Sequence, residues 1–573
     1  MEDNGFISHF TSRSFQEDTR AYDGRKTELL QEAQNLRERS FHFLNLQPVN
    51  LGTPVNWCFA PESDRLWQYN LHYGEWAITL ARAYLASNET RFKNSLIDLL
   101  NDWIDHNPVG KGVGWEPYPI SRRLVAWSRV GLALKEDSSW QDFMKTHLVP
   151  SLRQQAKFLA SNLEHDLANN HLVANYKALA WIGLSFPNWP EAQKWKSMGL
   201  AGLWAEMRRQ VLSDGVHDER GISYHAIVLQ DLFEIWWLAK QVGEVVPEDI
   251  ESTLVRMFQF LADTQTPDGT WPMVNDSVPG YPTDPRSMLL AGGVLFQTRE
   301  FLQRGKGGDP GYALWLTGEV PCVGSDLGLN DSRPNDAMTV FKDAGYAVLQ
   351  DKNQSYLFFD AGPMGPKHIQ GHGHADALSF VLYGRGRPLI VDPGVFSYHN
   401  KFWRDHFRNT MAHNTVAIDN QDQCVFWGPF RVAYPPKVRL LESSDNHVVG
   451  EHEGYTRFSK PVIHRRRIER RTTSEWEILD QFEGKGEHEF ALNLQFAPGA
   501  KVQVNGVNGE ARWPDATSLQ VICATPPTRA LGLIEQGWVS PGWNLKEEAP
   551  KYLLHWRSEV PTENRIILKI KTT

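Results

Sequence analysis

VGSDLGLNDSRPND, residues 323–336, is the stretch on which the reading of the fold turns. Gly, Ser, Asn, Asp and Pro dominate it, the composition of a connection rather than of an element. Before it, apolar residues recur at three- and four-residue spacing. Leu29, Ala33, Leu36 and Phe43 share a face, as do Phe92, Leu96, Leu99 and Trp103. Leu229, Leu232, Phe233 and Trp236 follow, then Leu254, Phe258 and Leu261. That period predicts a run of amphipathic helices. No repeat of the common solenoid lengths recurs, which leaves a ring or superhelix of helical hairpins. After the stretch, SYLFFDAG, ALSFVLYG, RPLIVDPG and NTVAIDN read as strands. In EFALNLQF, Phe490, Leu492, Leu494 and Phe496 alternate with other residues, and RIILKIK closes the chain in the same style. Strands separated by turn clusters, without helical periods between them, predict an antiparallel sandwich. The expected organisation is a helical domain over 1–325, a linker over 326–336 and a β-sandwich over 337–573.

At 573 residues the chain is too long for one core. It contains 22 Trp, 16 Tyr and 28 Phe. Trp and Tyr present a flat apolar face and one polar handle, which suits the C–H face of a sugar ring and equally suits a large helical core. A net charge of -9 argues against a general nucleic-acid binder. Cys58, Cys322, Cys424 and Cys523 are scattered, with no CxxC, so neither a disulfide framework nor a thiolate zinc site is indicated. The start, MEDNGFISHF, has no basic region ahead of an apolar run, and no stretch reaches membrane-spanning length. As written the chain is expected in the cytoplasm. A periplasmic or secreted protein whose signal had been removed would read the same.

The chemistry-bearing residues fall into clusters. GHGHADALSF, residues 371–380, places His372 and His374 two apart, on one face if the strand is regular. Asp392 follows at a strand end in RPLIVDPG, and His413 in MAHNTVAID. Two imidazoles and a carboxylate are standard zinc ligands that leave room for water. The same histidines could equally be satisfied by backbone or carboxylate partners. Asp376 reads as a supporting partner or a strand cap. In the helical half, Asn170 and His171 of LANNHLVANYKAL pair a side-chain amide with an imidazole, a combination that binds a carboxylate and takes a proton. An Asn cap at a helix start is the structural alternative. Tyr224 and His225 precede an amphipathic helix in DERGISYHAIVLQDLFE. A Tyr acts as acid or base when nearby positive charge lowers its pKa. LWQYNLHYGEW carries Tyr69, Asn70, His72 and Tyr73, and GVGWEPYPISRRLVAW carries Trp115, Tyr118, Arg122 and Arg123. Rings that stack and guanidinium groups that pair with carboxylate or sulfate suit an anionic sugar. Arg404 and Arg408 face such a cleft or make ordinary surface pairs.

Taken together, HGHADALSF, RPLIVDPG and WRDHFRNTMAHNTVAIDNQDQ, with YNLHY, WEPYPISRRLVAW, NNHLVANYKAL and GISYH upstream in the same order, resemble the heparinase II/III-like polysaccharide lyases. The resemblance covers most of residues 65–425. It implies an (α/α) toroid followed by an antiparallel β-sandwich, and β-elimination on uronate-containing polysaccharides. It implies that Asn170 neutralises the uronate carboxylate with His171 beside it. Tyr224 would protonate the leaving oxygen and, for some epimers, also act as base. His372 would reach in from the β-domain as second base or charge neutraliser. His374, Asp392 and His413 would hold a mainly structural divalent ion, zinc first, manganese or calcium next. Tyr69, Asn70, His72, Trp115, Tyr118, Arg123, His225 and Arg408 are the expected substrate contacts. The expected partner is an anionic polysaccharide or oligosaccharide, with no nucleic acid and no membrane, on a monomer or homodimer. Glycosaminoglycans such as heparin or heparan sulfate, hyaluronan and chondroitin or dermatan sulfate come first as substrates, and alginate or a bacterial exopolysaccharide next. A metal-dependent glycoside hydrolase and a non-catalytic carbohydrate-binding protein are the competing readings. Hydrolysis calls for paired carboxylates, and nothing marks a pair among Asp218, Glu219 and Asp276, the last of which reads as lining the cleft or holding its loop.

Overall fold

The computed structural model describes residues 26–317 and 338–572. The expected linker 326–336 and Cys322 lie outside them. The chain forms helices up to Thr317 and antiparallel sheets beyond Met338. Contacts divide it into two units. The division at residue 325 does not capture them, because Leu212–His225 and Gln259–Tyr281 belong with Ser325–Thr573. These two segments pair with the strand-rich half through hydrogen bonds that the local sequence pattern does not announce.

In the first unit, helices α1 (Arg65–Tyr73), α2 (Trp76–Ser87), α3 (Pro117–Ala133) and α4 (Asn170–Ser185) form an inner succession in which α1 and α2 both contact α3, and α3 contacts α4. Helices Thr90–His106, Val149–Ala160 and Ala192–Gln210 back α2, α3 and α4 in turn. That inner–outer alternation is the arrangement of an (α/α) toroid. Helices α3 and α4 are buried over most of their surface because neighbours and a backing helix cover them. Asp64 caps α1, accepting from the Leu66 and Trp67 amides at 2.9 and 3.2 Å. Gly74 ends it at φ +69, where an added Cβ would lie 2.4 Å from the Trp127 indole nitrogen. Trp67, Trp76, Trp103, Trp115 and Trp127 are all buried. Most of the unusual tryptophan content of this region is core.

In the second unit, a five-stranded meander runs from Met338–Phe341 to Arg387–Ile390. A four-stranded sheet is ordered Leu531–Gly542, Leu545–Glu559, Glu487–Gln495, Val416–Ile418, and an eight-stranded sheet spans Val438–Ser443 to Lys501–Asn505. Apolar residues from all three sheets, among them Phe359, Leu382, Ile478, Leu568, Leu494 and Trp556, fill one core, which makes the unit a sandwich. Phe490, Leu492, Leu494 and Phe496 are all fully buried there. Their polar neighbours Asn493 and Gln495 are buried too, Asn493 against Met411 and Gln495 donating to the Ala549 carbonyl. Cys58, Cys424 and Cys523 are free thiols. Among the described residues no helix is long and apolar enough to cross a membrane.

Candidate active site

GHGHADALSF is not a strand until Phe380; residues 371–379 are an irregular loop. The loop approaches its neighbours too closely for a side chain at Gly373, where a Cβ would lie 2.4 Å from the Met364 carbonyl oxygen. Segment Val274–Val278 fixes it. Asn275, at φ +56, accepts from the His374 amide at 3.1 Å, and the Asp276 amide donates to the His372 carbonyl at 3.2 Å. The same segment receives the start of helix α5 (Ile222–Gln241). The Ile222 amide donates to Ser277 Oγ at 2.8 Å, and the Ser223 hydroxyl donates to the Val278 carbonyl at 3.0 Å. Tyr224 is thereby placed on the first turn of a helix whose N-terminus is tied to the loop that carries His372.

One carboxylate organises this site. Asp276 Oδ2 accepts from His372 Nδ1 at 2.9 Å, and Oδ1 from His374 Nε2 at 3.0 Å. Both oxygens also accept from Arg404, with Nη2 to Oδ2 at 2.9 Å. Burial alone would raise the pKa of Asp276, but Arg404 and the two histidines hold it well below the usual carboxylate range. Nδ1 of His372 faces that anion, and Nε2 is the ring nitrogen that Asp276 does not hold. The Tyr224 ring stacks on His372 with centroids 3.9 Å apart, and its hydroxyl lies 2.9 Å from that of Tyr398, which is 3.5 Å from His372 Nδ1. Burial, then the Tyr398 and Asp276 neighbours, push the Tyr224 hydroxyl well above its ordinary pKa. The lowered pKa anticipated for a Tyr base is therefore not found, and burial with its neighbours keeps the Tyr224 hydroxyl protonated. Tyr398 was not singled out from sequence, as nothing local marks it in VFSYHN. Arg404 is buried and neither lines an open cleft nor makes a surface pair.

A second cluster lies behind this one. His374, Asp376 and His413 each offer a ligand atom within 4.8 Å of the others. His374 Nδ1, Asp376 Oδ2 and His413 Nε2 are buried without a hydrogen-bond partner. Three orphaned donors of this chemistry facing one another fit a divalent ion. The opposite ring nitrogens are held by carboxylates, His374 Nε2 by Asp276 and His413 Nδ1 by Asp392 at 3.2 Å. Such carboxylate–histidine pairs orient metal ligands. Burial and the nearby Asp360 push Asp376 well above its normal range, and burial pushes Asp360 up to about 7. That crowding of carboxylates calls for a cation. Of the three expected ligands, His374 and His413 fall in this cluster. The third, Asp392, lies against His413 and accepts from the Gly394 amide at 2.9 Å, while Asp376, read as the supporting residue, also offers an oxygen to the cluster.

In the helical unit, His171 stacks on Tyr118 with centroids 4.1 Å apart, and Glu164 binds its Nδ1 at 2.9 Å. Glu164 also accepts from Asn175 at 2.9 Å. Tyr69, Tyr73, Tyr118 and Ala174 form a small apolar cluster beside it, and the Tyr69 hydroxyl donates to Glu116. Asn170 begins α4 directly after the capping Asn169 and is 1% exposed. Asn70 spends its amide on the Leu66 carbonyl at 2.8 Å.

Five expected substrate contacts are structural instead. His72 is buried, with Nε2 on the Trp57 carbonyl at 3.0 Å and Nδ1 accepting from Trp103 at 3.1 Å. Burial lowers its pKa to about 3. Arg123 is fully buried, flat against Trp103, and donates to Gln155, the His72 carbonyl and the Gly114 carbonyl. Trp115 is buried and donates to the Asn107 carbonyl. His225 is buried against Phe260 and accepts from the His217 amide. Arg408 donates to the Gly428 and Pro429 carbonyls and pairs with Asp405. Residue type and spacing mark a polar group near a cleft, but not the side to which it points.

The model of the heparinase II/III N-terminus matches residues 8–296, and that of the heparinase II/III-like C-terminal region matches residues 333–566. The chain belongs to the heparinase II/III-like family. A heparin-sulfate lyase of Bacteroides thetaiotaomicron is 26% identical over 77% of this chain and 62% of its own length. A heparin-sulfate lyase of Pedobacter heparinus is 24% identical over 65% of this chain and 55% of its own. The matches thus span little more than half of these relatives. The crystal structure of heparinase III shares the fold at a TM-score of 0.76, with 21% identity, covering 95% of this chain and 85% of that one.

Proposed function

We propose that this protein is a polysaccharide lyase that cleaves uronate-containing glycosaminoglycan by β-elimination, with heparin or heparan sulfate first among its substrates. The observation that carries the reading is the pairing of His372, oriented by buried Asp276, with the stacked phenol of Tyr224. The two groups divide the reaction. His372 Nε2 takes the C5 proton of the uronate. The electron pair left behind forms the C4–C5 double bond as the C4–O4 bond breaks. Tyr224 gives its proton to the leaving O4, and no water is consumed. Tyr224 suits the acid role because it stays protonated. Asn170 and His171 are assigned to the uronate carboxylate, whose charge grows as C5 loses its proton. Glu164 sets the ring of His171 for that contact.

His374, Asp376 and His413 would hold the divalent ion, zinc by the donor set, and its contribution is to brace the loop that carries His372. The substrate preference rests on the names of the relatives. No paired carboxylates flank His372 in the manner of a hydrolase; Asp276 is neutralised by Arg404 and two imidazoles.

The test is absorbance of the conjugated product on a panel of heparin, heparan sulfate, hyaluronan, chondroitin and dermatan sulfates, and alginate. A rise on heparin or heparan sulfate is expected. Reducing ends that appear without absorbance would mean hydrolysis, and silence in both assays a binding protein.

A further inference from the structure

The helical unit contains a cavity of about 170 Å³ that the chemistry above does not use. Glu75, Arg122, Arg129, Lys177, Asp231 and Glu234 line it. On α3, Arg122 and Arg129 follow Tyr118, and on α4, Lys177 follows His171. The cavity therefore lies along the inner helices beyond the Tyr118–His171 stack, with Arg129 roughly 16 Å along α3 from Tyr118, eleven steps at about 1.5 Å each. Its mouth is at Glu75 and Arg122, whose side chains pair at 2.7 Å and are 44% and 16% exposed. Arg122 also lies over the Tyr73 ring.

Its floor is closed. The Arg129 guanidinium sits 3.4 Å from the Trp315 ring, Trp315 stacks on Trp181, and Tyr312 donates to Glu234. Lys177 Nζ lies 2.7 Å from both Asp231 and Glu234. Arg129 Nε and Asp231 Oδ2 have no hydrogen-bond partner. Three cationic and three anionic side chains contribute to the wall. A wall without net charge, with donors beside acceptors, does not single out an anion. It fits hydroxyl groups, each of which donates and accepts. The volume is well below the roughly 300–1,000 Å³ of pockets for larger ligands and suits a single ring. Because the floor is closed, a ring that enters is the last of its chain.

We propose that this cavity is a subsite for the terminal pyranose of the substrate, so that the enzyme works from a chain end. The proposal rests on the lyase reading above. Its first test follows product sizes as wild-type protein cleaves whichever polymer raises the absorbance. Release of small units from the first turnovers, with the remaining polymer still long, is expected. A broad ladder of intermediate lengths would overturn the end subsite while leaving the lyase reading intact.

A flat absorbance on every polymer would defeat the lyase reading instead, and a second measurement then decides the cavity by itself. Calorimetric titration with free glucuronate and with N-acetylglucosamine compares wild type with Arg129→Met, which removes a guanidinium that holds no protein hydrogen bond at Nε. Binding of at least one sugar, weakened about tenfold or more by the substitution, is expected. No binding of either sugar, or equal binding by both proteins, overturns the subsite.

Discussion

Tyr224 illustrates how much a single residue carries and how its surroundings choose its role. Its hydroxyl is held protonated by burial and by the anionic side of Asp276, so Tyr224→Phe removes the proton for the leaving oxygen. The expected loss in initial rate is about 10²–10⁴-fold, read from product absorbance, and a variant with full activity would remove Tyr224 from the mechanism. Tyr398→Phe deletes one hydrogen bond to Tyr224 and is expected to cost roughly tenfold in the same assay. The metal cluster puts to the test the ranking of two aspartates, Asp392 expected as ligand and Asp376 as its support. Asp376→Ala is expected to abolish zinc uptake in equilibrium dialysis. Asp392→Asn, which only loosens His413, is expected to weaken it about 10–100-fold. The reverse order would restore Asp392 as the ligand. Motifs single out Tyr224, His372, His374 and His413, and Asp276 read from sequence as lining the cleft or holding its loop. Tyr398 was not legible, since its contact with Tyr224 depends on which way one side chain turns in a loop.

At the scale of an element, loop 371–379 defies the strand period assigned to it. A regular strand would put His372 and His374 on one face, and the loop achieves a related result by other means, with both rings meeting opposite oxygens of Asp276. The backbone pays for this at Gly373, where there is no room for a Cβ beside Met364. Gly373→Ala is therefore expected to lower stability by about 1–3 kcal/mol and to reduce activity together with metal uptake, measured by thermal melting and dialysis on the same sample. Unchanged melting would show that the loop yields freely. Helices Thr90–His106, Ile222–Gln241 and Glu248–Thr264 were legible from apolar spacing, whereas α1 and α3 were not. Their buried polar residues misled, because Arg123 and His72 satisfy backbone carbonyls and an indole inside the core rather than a ligand.

Across the whole molecule, the sandwich depends on a buried ionic cluster. Arg466 grips Asp480 at 2.7 and 3.0 Å, His464 binds the same carboxylate at 2.7 Å, and Arg466 reaches the Leu378 and Asn414 carbonyls. Burial alone would raise the pKa of Asp480, but Arg466 and His464 hold it down at about 2. A carboxyl with a depressed folded pKa stabilises above its unfolded value near 4 and loses that contribution as pH falls toward 2. The expected loss over that window is about 2–3 kcal/mol, measured by denaturant titration at stepped pH. Asp480→Asn is expected to remove that acid limb and to cost about 3–5 kcal/mol at neutral pH, as it leaves Arg466 unpaired in the core.

Period and composition by themselves determined the order of helices then strands, since amphipathic spacing is imposed by burial of one face and needs only neighbours in sequence. They also determined the family, because its motifs are local strings. Only the tertiary structure decided which segments build the site. Leu212–His225 and Gln259–Tyr281 join the strand-rich unit through Asn275, Asp276 and Ser277, contacts between residues about a hundred positions apart in the chain for Asp276 with His372 and His374. A hydrogen bond at that separation leaves no trace in local spacing. It is fixed by the packing that brings the segments together, and with it the meeting of both histidines on the two oxygens of Asp276.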